Sequence, residues 1–193
     1  MVLALPRGGV EVGYEIARRL GVPLDVLIVR KIGAPDNPEY GLGAVAEDGS
    51  HVIDEARVRE AGYTLADLEP TIDRELAEIR RRAEAYRGGL PGTDLADRTV
   101  ILVDDGVATG VTLRVAVRSV RSRGPRRVVV ALGVAARDAF RQLERIADEV
   151  VVLEVPDLFF AVGEWYQQFD QVSDREVQRL LFESRRPISP AVP

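Results

Sequence analysis

Asp104 and Asp105 are the residues of this chain with the clearest chemical consequence. They follow four apolar residues, Val100-Ile101-Leu102-Val103, and precede Gly106-Val107-Ala108-Thr109-Gly110-Val111-Thr112. The apolar run reads as a buried strand, so two adjacent carboxylates stand at its carboxyl end. Such a pair is electrostatically costly, because the two charges repel and each loses hydration. Something must compensate: a cation such as Mg2+, or hydroxyl donors such as the cis 2- and 3-hydroxyls of a ribose. The following turn leads into a helix, and N–H groups pointing outward at a helix N-terminus suit a phosphate. The helix dipole contributes only about 0.3–1 kcal/mol. Charge-assisted hydrogen bonds, at roughly 1.5–3 kcal/mol each, carry most of such binding. Gly110 lets the backbone approach closely, and Thr109 and Thr112 add hydroxyl donors. A plain strand-to-helix turn needs one Asp as a cap, not two followed by Thr-Gly-x-Thr.

The elements that position this segment follow from hydrophobic spacing. Val2–Leu5 is a buried strand ended by Pro6-Arg7-Gly8-Gly9. Val10, Gly13, Tyr14, Ala17 and Leu20 then form one helix face that Gly21 stops. Leu24–Val29 is a second apolar strand, which completes a βαβ unit and hence predicts a parallel sheet. Residues 31–41 are a long loop with two prolines and two glycines. Leu42–Ala46 and His51–Ile53 form a hairpin. Residues 65–86 are a helix beginning near Pro70 and ending at Gly88-Gly89, read as packing or dimer surface. Thr99–Val103 is the central strand and Thr109–Arg123 the helix after it. Val128–Gly133, Asp138–Ile146 and Glu149–Val155 read as strand, helix and strand. Residues 157–170 are irregular and aromatic-rich. Ser173, with Glu176 in a capping box, opens a helix to about Glu183. Residues 187–193 form a frayed tail. The expected fold is α/β with a mainly parallel twisted sheet flanked by helices, in one domain over 1–186. Ligands of an open parallel sheet sit outside the carboxyl ends of its strands. The polar segments 6–9, 30–41 and 104–112 all follow strands, so they should share one edge.

Composition excludes several classes. The chain has no cysteine and one histidine, His51. Disulfides, thiolate chemistry, Cys-based zinc sites and multi-histidine metal sites are therefore out. The formal net charge of -5 argues against nucleic-acid binding, and the arginine clusters 80–82 and 123–127 read as solvated surface. No apolar run of membrane-spanning length occurs, and no basic-then-apolar leader precedes the first strand. The expected location is the cytoplasm.

Residues 100–112 resemble the 5-phosphoribosyl-1-diphosphate (PRPP) binding motif of type I phosphoribosyltransferases: four apolar residues, two acids, then a turn ending in Thr-Gly-x-Thr. The resemblance implies that Asp104 and Asp105 hold the ribose hydroxyls, and Mg2+ directly or through water. It implies that Val107, Ala108, Thr109, Gly110, Val111 and Thr112 hold the 5-phosphate. Pro6-Arg7-Gly8-Gly9 resembles the family's diphosphate loop. There Gly8 and Gly9 leave N–H groups free for an anion, and Arg7 can form paired bonds to phosphate. Lys31 is the only lysine among 26 basic residues. Arg30-Lys31-Ile32-Gly33 resembles the segment that opens the flexible loop of adenine phosphoribosyltransferases, where basic residues neutralise the departing diphosphate. Residues 159–166 resemble the hood of hypoxanthine-guanine enzymes, here about residues 156–172. Carried over, Phe160 stacks on the base and Val162 gives backbone contacts, whereas Trp165 and Tyr166 read as core packing. A receiver-type signalling domain also ends a strand in acids. It would need a lysine after a later strand, and none follows residue 31.

The implied activity is transfer of the phosphoribosyl group of PRPP to a nitrogenous base with release of diphosphate, a nucleotide-salvage step. Ala108 stands where 6-oxopurine enzymes carry an Asp, as in the adenine enzymes. Hypoxanthine and guanine are thus disfavoured, a purine-like base is favoured, and the acceptor stays open. A non-catalytic PRPP- or nucleotide-sensing module on the same fold is the alternative. A third reading, a partner module of a larger complex, comes from a chain that starts inside its first strand where family members carry helical residues. Homodimerisation is expected on resemblance alone.

Overall fold

The computed structural model describes residues 1–185. The expected tail 187–193, and the last residue of the expected domain 1–186, lie outside the described residues. The main sheet contains five parallel strands: β1 (Val2–Ala4), β2 (Leu24–Val26), β6 (Thr99–Val107), β7 (Arg127–Ala135) and β8 (Glu149–Glu154). Their order is β2-β1-β6-β7-β8. A second, antiparallel sheet contains β3 (Val29–Gly33), β4 (Gly41–Ala46) and β5 (His51–Ile53) in that order. Among the described residues, six α-helices connect and cover these strands: α1 (Gly9–Leu20), α2 (Glu55–Glu60), α3 (Glu69–Arg87), α4 (Val111–Ser122), α5 (Arg137–Leu143) and α6 (Asp174–Ser184).

Strand periodicity divides the core. On β6, Val100 and Leu102 face a cluster with Leu113, Val117 and Val120 of α4 and Leu143 of α5. Val103 faces the other way, into a cluster with Val10 and Ala17 of α1, Ile79 of α3 and Leu181 of α6. Alternate residues of a strand point to opposite faces, so both faces are covered and a nearly continuous apolar run results. The small sheet lies between two helices by the same rule. Val45 joins Ile79 of α3, whereas Ala44 and Ala46 join Val115 of α4.

Three elements differ from the sequence reading. The run Leu24–Val29 divides between the two sheets: β2 ends at Val26, and β3 begins at Val29. Leu27 and Ile28 are buried at the changeover, so unbroken apolarity conceals where the backbone changes partners. Arg30 and Lys31 consequently lie on a strand instead of in a loop. The central strand continues to Val107, because Gly106 and Val107 still pair with Val134 and Ala135. The short helix α2 was missed; Asp54 caps it by accepting a 3.1 Å bond from Arg57 N. At α6, Ser173 Oγ accepts from Glu176 N at 3.1 Å as expected. The Glu176 carboxylate, however, is taken by Arg179. No described helix is long and apolar enough to cross a membrane.

One buried charge network joins the two sheets. Arg87, at the end of α3, donates to Asp25 of β2 at 3.1 Å and to Val26 O at 2.5 Å. It also donates to Glu47, in the turn between β4 and β5, at 3.0 and 3.2 Å. Burial opposes ionisation of Asp25, but Arg87 and hydrogen bonds from Val26 N, Thr93 Oγ1 and Thr93 N prevail and hold its carboxyl below the ordinary 3.8. A depressed carboxyl contributes stability that is complete above its unfolded value and fades as pH falls through the folded one. Replacing Arg87 by Met leaves the buried Asp25 carboxylate without a counter-charge, and leaves Glu47 with Arg123 alone, 3.8 Å away. The expected loss is about 3–5 kcal/mol in urea unfolding near neutral pH; a loss below about 1 kcal/mol would mean that water replaces the guanidinium without penalty.

Candidate active site

The strand order reverses between β1 and β6: the chain winds outward from β1 to β2 on one side and from β6 through β7 to β8 on the other. In open α/β sheets the ligand crevice lies outside the carboxyl ends of the strands at such a switch point. The segments that follow β1 and β6 here are 5–8 and 108–110, two of the three segments expected on that edge.

These segments are in contact. Leu5 N donates to Val103 O at 2.8 Å. A Cβ added at Gly9 would stand 2.7 Å from Val103 O and 2.8 Å from Asp104 Cα, and one at Gly8 would collide with the Asp105 carboxylate. Glycine at both positions lets the Arg7 loop lie directly against the acids. Arg7 does not neutralise them. Its Nη1 is 3.9 Å from Asp174 Oδ1, and neither Asp104 nor Asp105 makes an ion pair among the described residues. Asp104 Oδ1 accepts from Asp105 N at 2.9 Å, and Asp105 Oδ1 accepts from Gly106 N at 2.7 Å. Burial, then the neighbouring Asp105 charge, pushes the Asp104 carboxyl well above its ordinary value. Burial also raises Asp105, against the opposing bond from Gly106 N.

Beyond the acids, Gly110 caps α4 in the left-handed conformation, with φ 76° and no side-chain cap. The first-turn N–H groups of a helix have no intrahelical acceptor. Here they open on a cavity of about 720 Å³ between α4 and the small sheet. Lys31, Arg57, Thr109, Thr112 and Arg114 line it. Lys31 Nζ donates to Glu39 O at 2.6 Å, and the Arg57 guanidinium lies 4.9 Å from the Tyr40 ring centroid.

A second cavity, of about 360 Å³, opens on the other side of the acids; Arg7, Gly8, Asp105, Tyr166 and Phe169 are among its walls. Tyr166 OH donates to Asp105 O at 2.6 Å. Its ring fits because residue 133 is glycine, where any Cβ would strike the phenol oxygen. Burial, then the Asp105 and Asp104 charges, raises the phenol to about 12. Val162 reaches the same strand, with Cγ1 2.7 Å from where a Cβ on Gly106 would lie.

A family model described as "Phosphoribosyl transferase domain" matches residues 1–170. The chain belongs to this family. Two curated relatives, "Putative phosphoribosyl transferase MT0597" and "Putative phosphoribosyl transferase Rv0571c" of two Mycobacterium tuberculosis strains, are each 42% identical over 191 residues. Those residues are 99% of this chain but 43% of each relative, so the chain spans less than half their length. The crystal structure of TT1426 from Thermus thermophilus is similar with a TM-score of 0.78 and 49% identity, covering 94% of this chain and 86% of that one.

Two expected residues of this phosphoribosyltransferase domain stand elsewhere. Arg30 bonds Glu75 of α3 at 2.8 Å and lines neither cavity, because neighbouring strand residues face opposite ways and Lys31 takes the cavity side. Phe160 is 78% exposed and also lines neither. The ring at the smaller cavity is Phe169, 5.3 Å from Tyr166. Tyr166, read as core, is a cavity wall. Arg57 and Arg114 were missed; Arg114 sits one turn past Thr109-Gly110, a spacing that could have flagged it. Among the described residues no three His, Cys, Asp or Glu side chains cluster to hold a metal, so the acidic pair is the site's own contribution to any cation.

Because folding raises the Asp104 pKa, its ionisation penalises the native state once pH exceeds the unfolded carboxyl value. Asp104→Asn should therefore raise the thermal midpoint at pH 7 by about 2–4 °C, the shift that ~1 kcal/mol produces at this size. That gain should vanish near about pH 3, where the unfolded carboxyl is also protonated. A midpoint lowered at pH 7 would show that the charged pair supports the fold.

Proposed function

We propose that the chain is a catalytic phosphoribosyltransferase domain that transfers the 5-phosphoribosyl group of PRPP to a nitrogenous base and releases diphosphate. One observation carries the reading. The unneutralised Asp104–Asp105 pair lies at the sheet's switch point, between an anion-suited loop and an uncapped helix start. Two acids with raised pKa values have a ribose diol or a cation as natural partners. The turn from Val107 to Thr112 offers N–H and hydroxyl donors to the 5-phosphate.

The acids also suit Mg2+, which is commonly bound by one or two carboxylates together with substrate phosphates and water. Asp104 and Asp105 would hold it, directly or through water, and it would supply positive charge toward the departing diphosphate. The chain's own residues do the rest. Gly8 and Gly9 bring backbone N–H groups toward the diphosphate, and Arg7 offers its planar fork. Lys31 adds a compact charge from the phosphate side. Arg30 is tied to Glu75 on the opposite face of the strand and does not touch the leaving group. A ring nitrogen of the acceptor forms the C1–N bond as the C1–O bond breaks, diphosphate leaves with the electron pair, and the proton lost from the base passes to diphosphate or water. Positive charge builds on the ribose, close to the two carboxylates. Catalysis is thus positioning and fixed electrostatics, with no covalent nucleophile. Ala108 disfavours the 6-oxopurines, and a purine-like base fits best.

Diphosphate release from PRPP and Mg2+, assayed over a panel of bases, tests the reading. Release should depend on one class of base and fall by at least about 100-fold in Asp104→Asn/Asp105→Asn. PRPP binding with no release for any base would instead assign the chain a sensing role.

A further inference from the structure

We propose that the smaller cavity selects an uncharged planar heterocycle bearing an exocyclic amino group, with Asp170 accepting from that amino group and Phe169 stacking on the ring. The inference rests on the reading above, in which this cavity takes the acceptor.

Three features of the cavity carry it. The first is charge: apart from Asp105, which the reading above gives to the ribose and Mg2+, Glu11 and Asp170 contribute two carboxylates, against one guanidinium from Arg7. Arg7 is itself within 3.9 Å of Asp174 and is assigned to the diphosphate. A carboxylated heterocycle would enter a field of its own sign. The second is shape. Phe169 is 50% exposed and inclined 34° to Tyr166, which braces the ring while leaving it open to a planar ligand. The third is unused hydrogen-bonding capacity. Gln168, Asp170 and Gln171 are exposed and line the cavity, and among the described residues their side chains make no hydrogen bond or ion pair within the protein, so a ligand would compete only with water for them. An ionised carboxylate only accepts. Asp170 therefore complements an amino N–H and opposes a carbonyl oxygen at the same position, while the carboxamides can serve ring nitrogens of either polarity.

Nucleotide products isolate the base, because all share the ribose and the 5-phosphate. Dissociation constants would be measured by calorimetry with Mg2+ for ribose 5-phosphate, adenosine 5-monophosphate, inosine 5-monophosphate and orotidine 5-monophosphate, whose uncharged ring bears one carboxylate. The protein forms would be the native chain, Asp170→Asn and Phe169→Ala. The adenosine nucleotide should bind about 10-fold more tightly than the inosine nucleotide, the worth of one charge-assisted hydrogen bond. The orotidine nucleotide should bind no better than ribose 5-phosphate. Asp170→Asn should bring the adenosine and inosine nucleotides to within about 3-fold of each other. Phe169→Ala should weaken both, relative to ribose 5-phosphate. Tighter binding of the carboxylated nucleotide, or an adenosine-to-inosine ratio unchanged in Asp170→Asn, overturns the proposal while leaving the PRPP reading intact. Failure of ribose 5-phosphate to bind at all removes the PRPP reading, and this inference with it.

Discussion

Two like charges on adjacent residues, partly withdrawn from water and given no counter-ion, are the constraint around which this molecule is arranged. Asp104 and Asp105 sit on β6, which pairs with β7 at Asp104 and again at Gly106 and Val107, so the backbone is held on either side of Asp105. What lies near them is main chain, not positive side chain. The Arg7 loop touches them through glycines, and Tyr166 bonds the Asp105 carbonyl, not its carboxylate. The neighbourhood fixes their position and leaves their charge unanswered.

The sheet topology explains why this can be done without disturbing the fold. At the switch between β1 and β6 the connecting segments diverge, and a crevice opens where no helix must pack. The small antiparallel sheet and the hood segment then wall the crevice from opposite sides, each with its own chemistry. Toward the small sheet the walls carry the hydroxyls of Thr109 and Thr112, with Lys31, Arg57 and Arg114 set among Glu39, Asp54 and Glu55. Toward the hood they are aromatic, amide and acidic, with Phe169, Gln168 and Asp170. A ligand with a phosphate at one end and a planar ring at the other would straddle the acids.

Much of this was legible in the sequence. The acidic pair and the Thr-Gly-x-Thr turn stood out because charge next to an apolar strand has few structural explanations. The helix ends marked by Gly21 and Gly88 were equally plain, since both residues adopt the left-handed conformation. Other features were hidden for definable reasons. Arg30 and Lys31 are adjacent in sequence, but on a strand adjacency means opposite faces, and a loop reading of that segment erased the distinction. Phe160 and Phe169 are equivalent by composition; only the placement of Tyr166 over Gly133 decides which ring meets the cavity. The division of 24–29 between two sheets depends on long-range pairing, which a uniform apolar run does not record.

The contrast between Asp25 and Asp104 bears on how the pair should be understood. Among the described residues Asp25 is as enclosed as any charged group, at 5% exposure. The fold supplies it with Arg87, two bonds from Thr93 and one from Val26 N, and its carboxyl falls below the ordinary range. Asp104 receives one backbone bond and a like-charged neighbour, and its carboxyl rises. A chain with 26 basic residues that satisfies the first carboxylate so fully is not short of cations for the second. Arg7 is close enough in the fold to line the same cavity as Asp105, yet it leans toward Asp174. Unfavourable electrostatics that a short side-chain movement could relieve, but that the structure keeps, mark a place where the compensating charge or hydroxyls arrive from outside. On the proposed function, the same acids that weigh against stability in the fold are the groups that a ribose diol and a cation would satisfy.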